Sequence, residues 1–346
     1  MRVFSLCLAT LIAANAHAAP WCSADIPSSA ALKSLQDDAV RRSAPQPRAI
    51  PRIHTEGTLP HQGIWDQSME AKKDQQLISD LAQSWRATHD AATLAQLVAL
   101  LDAWSTVYQP SFNPIDETGF DMLIDAYAIA REALPAATRE HTAALLRNWA
   151  AGYVQRMEKP EHPGKGTWIN NWQSHRIKLA TMAAVALDDA RLFDAARVQF
   201  RKQLNQNLGP DGASIDFAER DALHYTVYDL EPLVRAAMAA QLRGEDWLHL
   251  RGDNGATLAL ALDWLLPYAR GERTHEEYVH TKVRFDLQRR DAGVAGFSGQ
   301  WQPRSSADLY WLASTLDVRY QTVAQALAAA PPWMAACWAL PAEVRR

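Results

Sequence analysis

Cysteine is scarce in this chain: there are three, at positions 7, 22 and 337. No Cys or His stands at metal-ligand spacing, so no zinc-type module is signalled. An excess of positive charge is also lacking. The formal charge is -4 over 346 residues, which argues against a nucleic-acid binder held by bulk charge. No apolar run is long enough to cross a bilayer. Strand-like alternation is scarce, and no motif recurs at a fixed period, which disfavours a regular solenoid.

What is present begins with MRVFSLCLATLIAANAHAAP. Arg2 precedes an apolar run from Val3 to about Ala16, and Ala16-His17-Ala18 matches the small-x-small cleavage pattern. Residues 1–18 are therefore expected to be a signal peptide, and the mature protein to be periplasmic or secreted, off the membrane. Its leader holds one Arg and no acid, so cleavage makes the chain more acidic. Cys22 and Cys337 remain after Cys7 is lost. In an oxidising compartment they can pair and tie the termini together; the alternative is two buried thiols.

Residues 19–65 are expected to form an N-terminal extended segment. Its part from Ser43 to Gly63, SAPQPRAIPRIHTEGTLPHQG, carries four prolines and is expected to be a long loop and possible lid, with His54 and His61 reaching toward a ligand. Residues 66–346 form the main domain. Apolar residues three and four apart, such as Leu94, Leu97, Leu101 and Trp104, predict helices over roughly 66–85, 91–107, 117–134, 137–157, 172–187, 190–207, 222–242, 255–270, 274–290, 306–316 and 319–329. Short connectors between them imply antiparallel hairpins in series. The expected fold is all-α, an α/α toroid: an incomplete barrel of antiparallel helical hairpins. The 13 tryptophans are many for this length. They offer aromatic faces for sugar rings, or simply core.

Two stretches carry chemistry. In INNWQSHRIKL (169–179) one Asn serves as a helix N-cap. On the helix that follows, Asn171, Ser174, His175 and Lys178 share one face, and Trp172, Arg176 and Leu179 another. In DGASIDFAERDALHYTVYDLEPL (211–233), Arg220, His224 and Tyr228 fall at steps of four. That makes one polar stripe if the segment is a single helix, a stripe poorly suited to core because each group needs a partner. Pro232 lacks an N–H, so the Tyr228 carbonyl loses its helical bond and a kink is expected there.

INNWQSH, followed some fifty residues later by ERDALHYTVYDLEPL, resembles the alginate lyase superfamily over roughly residues 90–325. The resemblance implies an α/α toroid, β-elimination on an acidic polysaccharide, and no obligatory metal or cofactor. It casts Asn171 as the carboxylate-neutralising Asn and Tyr228 as base and acid. Trp172 stands where that family has its catalytic His, with His175 one turn on. Asp221 stands where it has its Arg, with Arg220 adjacent. The neutralising set is therefore expected to be rebuilt from Asn171, His175, Arg220 and His224, with Trp168, Trp172, Gln173, Arg176, Tyr225 and His54 holding the chain. Two other readings remain open at this stage. One is a non-catalytic polysaccharide-binding protein. The other is a hydrolase using two of Asp216, Glu219 and Asp221.

Overall fold

The periodic run from Leu94 to Trp104 closes into a helix over Ala91–Val107, started by Asp90, whose carboxylate accepts the Thr93 N–H. Asp189, Ser214 and Thr257 start later helices the same way. In the computed structural model, which describes residues 21–23 and 29–338, the helices are α1 (Ser29–Arg42), α2 (Trp65–Thr88), α3 (Ala91–Val107), α4 (Asp121–Ala130), α5 (Ala136–Glu158), α6 (Asn171–Ala186) and α7 (Ala190–Asn207). They continue as α8 (Ile215–Arg220), α9 (Leu223–Gln241), α10 (Leu258–Ala269), α11 (Arg284–Asp291), α12 (Ala307–Leu316), α13 (Gln321–Leu327) and α14 (Pro332–Cys337). The described residues hold isolated β-bridges and no strand. None of their helices is long and apolar enough to cross a membrane. The expected leader and Cys7 lie outside them.

Packing sorts the helices into two layers. Helices α2, α4, α6, α9 and α12 pack in sequence, each on the next. Behind them, α3 packs on α2, α5 and α7 on α6, α10 on α9, and α13 on α12. All five helices of the first layer line one central cavity of about 310 Å³. They therefore form the inner wall of a ring and the others its outer wall. Burial follows from that position. Almost every residue of α6 is buried, polar ones included, because its outer side meets α5 and α7 while its inner side meets the ring. Each buried polar group then needs a partner, and those partners build the site.

Cys22 and Cys337 form a disulfide, their Cα atoms 4.5 Å apart. It joins the start of the chain to α14, and both α1 and α14 pack on α2.

Three expectations are corrected. Residues 19–65 are not extended throughout, since Ser29–Arg42 is helical and buries Leu35 against α2; the loop from Ser43 onward is as expected. The helix expected over 274–290 forms only at Arg284–Asp291. Its first half is a bridge and a turn instead: Tyr278 N–H donates to the Asp221 carbonyl, Lys282 N–H to the Glu219 carbonyl, and Glu276 bridges Gln300. The third concerns the polar stripe. Asp221 adopts a left-handed conformation (φ 51°) that ends α8, so Arg220 does not share a helix with His224 and Tyr228.

Candidate active site

Asn170 is the cap of α6, its side-chain oxygen accepting the Trp172 N–H at 3.1 Å. Asn171 faces inward, where its backbone N–H and side-chain amide donate to the Asp216 carboxylate at 2.7 and 2.5 Å. Asp216 is fully buried. Burial pushes its pKa up to about 6, while the Asn171 bonds and Arg220 pull the other way. One turn further, Ser174 donates to Asp229 at 2.6 Å, and Asn207 donates to the same oxygen. Burial, and then the nearby Asp216, hold Asp229 well above the usual carboxylate range.

His175 completes this face. Its Nδ1 lies 2.7 Å from the Thr118 hydroxyl, and its ring centre lies 4.4 Å from that of Tyr228. The imidazole is 3 % exposed and its Nε2 has no partner. Burial, then the charge of Lys178, hold its pKa well below the usual value, so the ring is neutral at pH 7. The Tyr228 carbonyl, which Pro232 leaves without a helical N–H, opposes that shift.

Tyr228 stands between two cavities. On one side is the central bore, lined by Thr118, Asp121, His175, Lys178, Glu231 and Asp308 among others. On the other is a second cavity of about 290 Å³, walled by Thr55, Glu56, Thr58 and Pro60 of the loop and by His224, Tyr225, Arg289 and Phe297. The loop is fixed at its base by buried Asp116, which accepts the N–H groups of Thr55 and Glu56 at 2.7 and 2.8 Å. Burial, then Tyr225 and Glu231, push the Tyr228 phenol up from its usual value, and Arg289 pulls it down. Arg289 donates to the Tyr225 hydroxyl at 3.0 Å and lies over the Phe285 and Phe297 rings. His224 is open to the cleft water, yet the enclosing walls, then the positive charge of Arg289 and Arg220, hold its pKa down.

The structure thus brings His175, His224, Tyr225 and Tyr228 to the cavities, and it sets the other expected residues apart. Arg220 is paired with Asp286 at 2.6 Å and lies over the Tyr225 ring. Asn171 is held by Asp216. Trp168, Trp172, Gln173 and Arg176 form a cluster of their own and line neither cavity. There the Arg176 guanidinium lies 4.0 Å from the Trp168 ring centre and donates to the Thr167 carbonyl and to Gln173. His54 bonds Asp116 at 3.0 Å, and His61 sits on the exposed side of the loop against Asp66. Neither lines a cavity described here. Asp221, one of the acids available to a hydrolase, is bound by His280, and Asp216 is buried beneath Asn171. Among the described residues no group of three His, Cys, Asp or Glu comes together as a metal site.

Arg289 and Glu231 were not singled out by the sequence. Arg289 is 64 residues from Tyr225, so no local spacing connects them. Glu231 could have been found, since it stands three residues after Tyr228 on the same helix.

The family model described as "Alginate lyase" matches residues 23–275. The chain belongs to the alginate lyase family. It is a polysaccharide lyase, and its two-layered ring is the family's α/α toroid. Among solved structures it is similar to an alginate lyase from Bacteroides ovatus, with 14% identity, 90% of this chain and 97% of that one covered, and a TM-score of 0.59. It is also similar to alginate lyase A1-III from Sphingomonas species A1, with 19% identity, 84% and 95% covered, and a TM-score of 0.54. A tyrosine-to-phenylalanine variant of alginate lyase A1-III complexed with tetrasaccharide matches with 19% identity, 74% and 80% covered, and a TM-score of 0.55. No curated protein matches.

Proposed function

We propose that this lyase is exported and cleaves a uronate-containing polysaccharide by β-elimination, with Tyr228 as the base and acid. The observation that carries the reading is Tyr228 itself. It stands between two cavities, with neutral His175 against its ring and Arg289 acting on its phenol.

The C5 proton of a uronate is a very weak acid while the neighbouring carboxylate is charged. Donors around that carboxylate let negative charge build on its oxygens as the C–H bond breaks. Arg220 and Asn171 are committed to buried acids, so this role passes to Arg289 and His224. Arg289 spends one Nη on Tyr225, and its other N–H groups make no hydrogen bond among the described residues. A guanidinium fork suits a carboxylate. Burial keeps the Tyr228 phenol protonated in the free protein. Arg289 favours the phenolate, which forms by loss of the phenol proton to cleft water, and neutral His175 packs beside the ring. The phenolate takes the C5 proton, the C4–O bond breaks as the C4=C5 double bond forms, and the proton returns to the leaving oxygen.

Export is supported by the leader pattern and by the disulfide, a bond that persists in oxidising compartments. The test is ultraviolet absorbance on mixing with a panel of uronate polymers. Appearance of the unsaturated uronate supports elimination. New reducing ends without it mean hydrolysis, and binding with neither means a module that only holds the polymer.

A further inference from the structure

The two cavities that meet at Tyr228 differ in charge. In the loop-side cavity Arg289 makes no close ion pair, its nearest carboxylate being Asp286 at 4.0 Å, and Glu56 is the sole acid of its lining. In the bore the cations are already used. Lys178 spends its three N–H groups on the Thr118 carbonyl, the Thr118 hydroxyl and Asp121, at 2.9, 2.8 and 2.8 Å. Arg235 is bound to Asp125 at 2.6 Å. Two acids remain, Glu231 and Asp308. Neither has an ion pair or side-chain hydrogen bond among the described residues, and both line the cavity. A second, separate feature lies on the wall of the same space: His175, a lining residue whose buried Nε2 has no partner. The bore thus offers acceptors and one neutral imidazole, with no uncommitted cation.

A uronate carboxylate placed there would meet Asp308 and a Glu231 that is part-ionised at neutral pH, with no uncommitted cation to neutralise it, and like charges brought together are costly. Sugar hydroxyls would meet acceptors without that cost. Burial, then Asp308, push Glu231 up to about 7, so at neutral pH it can donate as well as accept. We propose that the bore is the subsite for a sugar unit without a carboxylate, so that the natural substrate is a mixed polymer joining uronates to neutral sugars rather than a polymer of uronates alone. The inference rests on the lyase reading only for the site of cleavage; the charge asymmetry stands without it.

Calorimetric titration decides the matter by affinity rather than by turnover. The probes are an all-mannuronate oligosaccharide and one of equal length in which glucuronate alternates with a neutral hexose. The wild-type protein is expected to bind the mixed oligosaccharide at least about tenfold more tightly. Glu231→Gln/Asp308→Asn, both near-isosteric, is expected to narrow the gap by improving all-uronate binding, with the melting temperature and far-UV spectrum verifying the fold. Equal binding by the wild-type protein, absence of mixed-oligosaccharide binding, or a gap unchanged in a folded variant overturns the proposal. The lyase reading fails separately: its failure is tight binding without unsaturated product from any probe.

Discussion

Tyr228 has no charged group in direct contact to ionise it in the free protein, and its phenol is pushed up mainly by burial. If it is the base, activity follows the small phenolate fraction, which grows tenfold per pH unit below its pKa. The kcat/KM is therefore expected to rise steadily from neutral into alkaline pH. Tyr228→Phe should lose that limb, and roughly 100-fold or more of the rate, while oligosaccharide affinity stays near wild type. Retained turnover in the variant would remove Tyr228 from the mechanism. Glu231 titrates with the opposite consequence for stability. Its folded pKa of about 7 lies above the ordinary 4.5, so the fold favours the protonated form. That contribution is fully present below pH 4.5 and is lost as pH rises through 7. Glu231→Gln should leave the melting temperature unchanged at pH 4.5 and raise it at pH 8, by roughly 2 °C or more. An equal difference at both values would show that the carboxyl does not titrate as described. At this scale local spacing put Tyr228, His175 and His224 on named helix faces, and all three line the cavities. It concealed the commitments of Asn171 and Arg220, whose partners Asp216 and Asp286 come from distant turns of chain.

Elements decide which side chains are free. The break at Asp221 separates α8 from α9 and points Arg220 back into the protein, where it meets Asp286 and lies 3.7 Å from Asp216. Asp216 in turn holds the first turn of α6 by two bonds to Asn171. Two elements, α6 and α8, therefore meet at one buried carboxylate. Asp216→Ala would leave the Asn171 amide and part of the Arg220 charge unpartnered, a loss on the order of 3 kcal/mol. Urea unfolding is expected to register that loss at pH 7. Elimination should fall with it, because α6 also carries His175. A loss under about 0.5 kcal/mol would show that water replaces the carboxylate without cost. The helices themselves were largely legible: α3 and α7 agree with the apolar spacing end to end. Segment 274–283 was not. Its helical pattern is overridden by pairing with α8 and with Asp221, an interaction no local window contains.

For the whole molecule the decisive feature is that the ring is open and has a seam. The inner wall runs from α2 round to α12, and α14 packs on α2 and α1 near the start of the chain. The disulfide fixes that closure across a sequence separation of 315. The pairing could be posed from the sequence as one of two outcomes, because cysteine spacing says nothing of Cα separation; only the curvature of the ring brings the ends together. Its consequence reaches the site, since Trp333 of α14 lines the bore with Asp308 and Arg235. In the chain-entropy account a cross-link closing so long a loop is worth roughly 5 kcal/mol, and less where the unfolded chain stays compact. Cys22→Ser/Cys337→Ser is therefore expected to unfold at a clearly lower denaturant concentration than the wild type. Reductant should bring the wild type down to the variant's midpoint and leave the variant unmoved. Oligosaccharide affinity should weaken before global unfolding, because the seam borders the bore while the loop-side cavity is walled by Asp116-anchored residues and α9. A wild type indifferent to reductant, with both cysteines shown to be reduced, would mean that the packing of α1 and α14 on α2 closes the ring by itself.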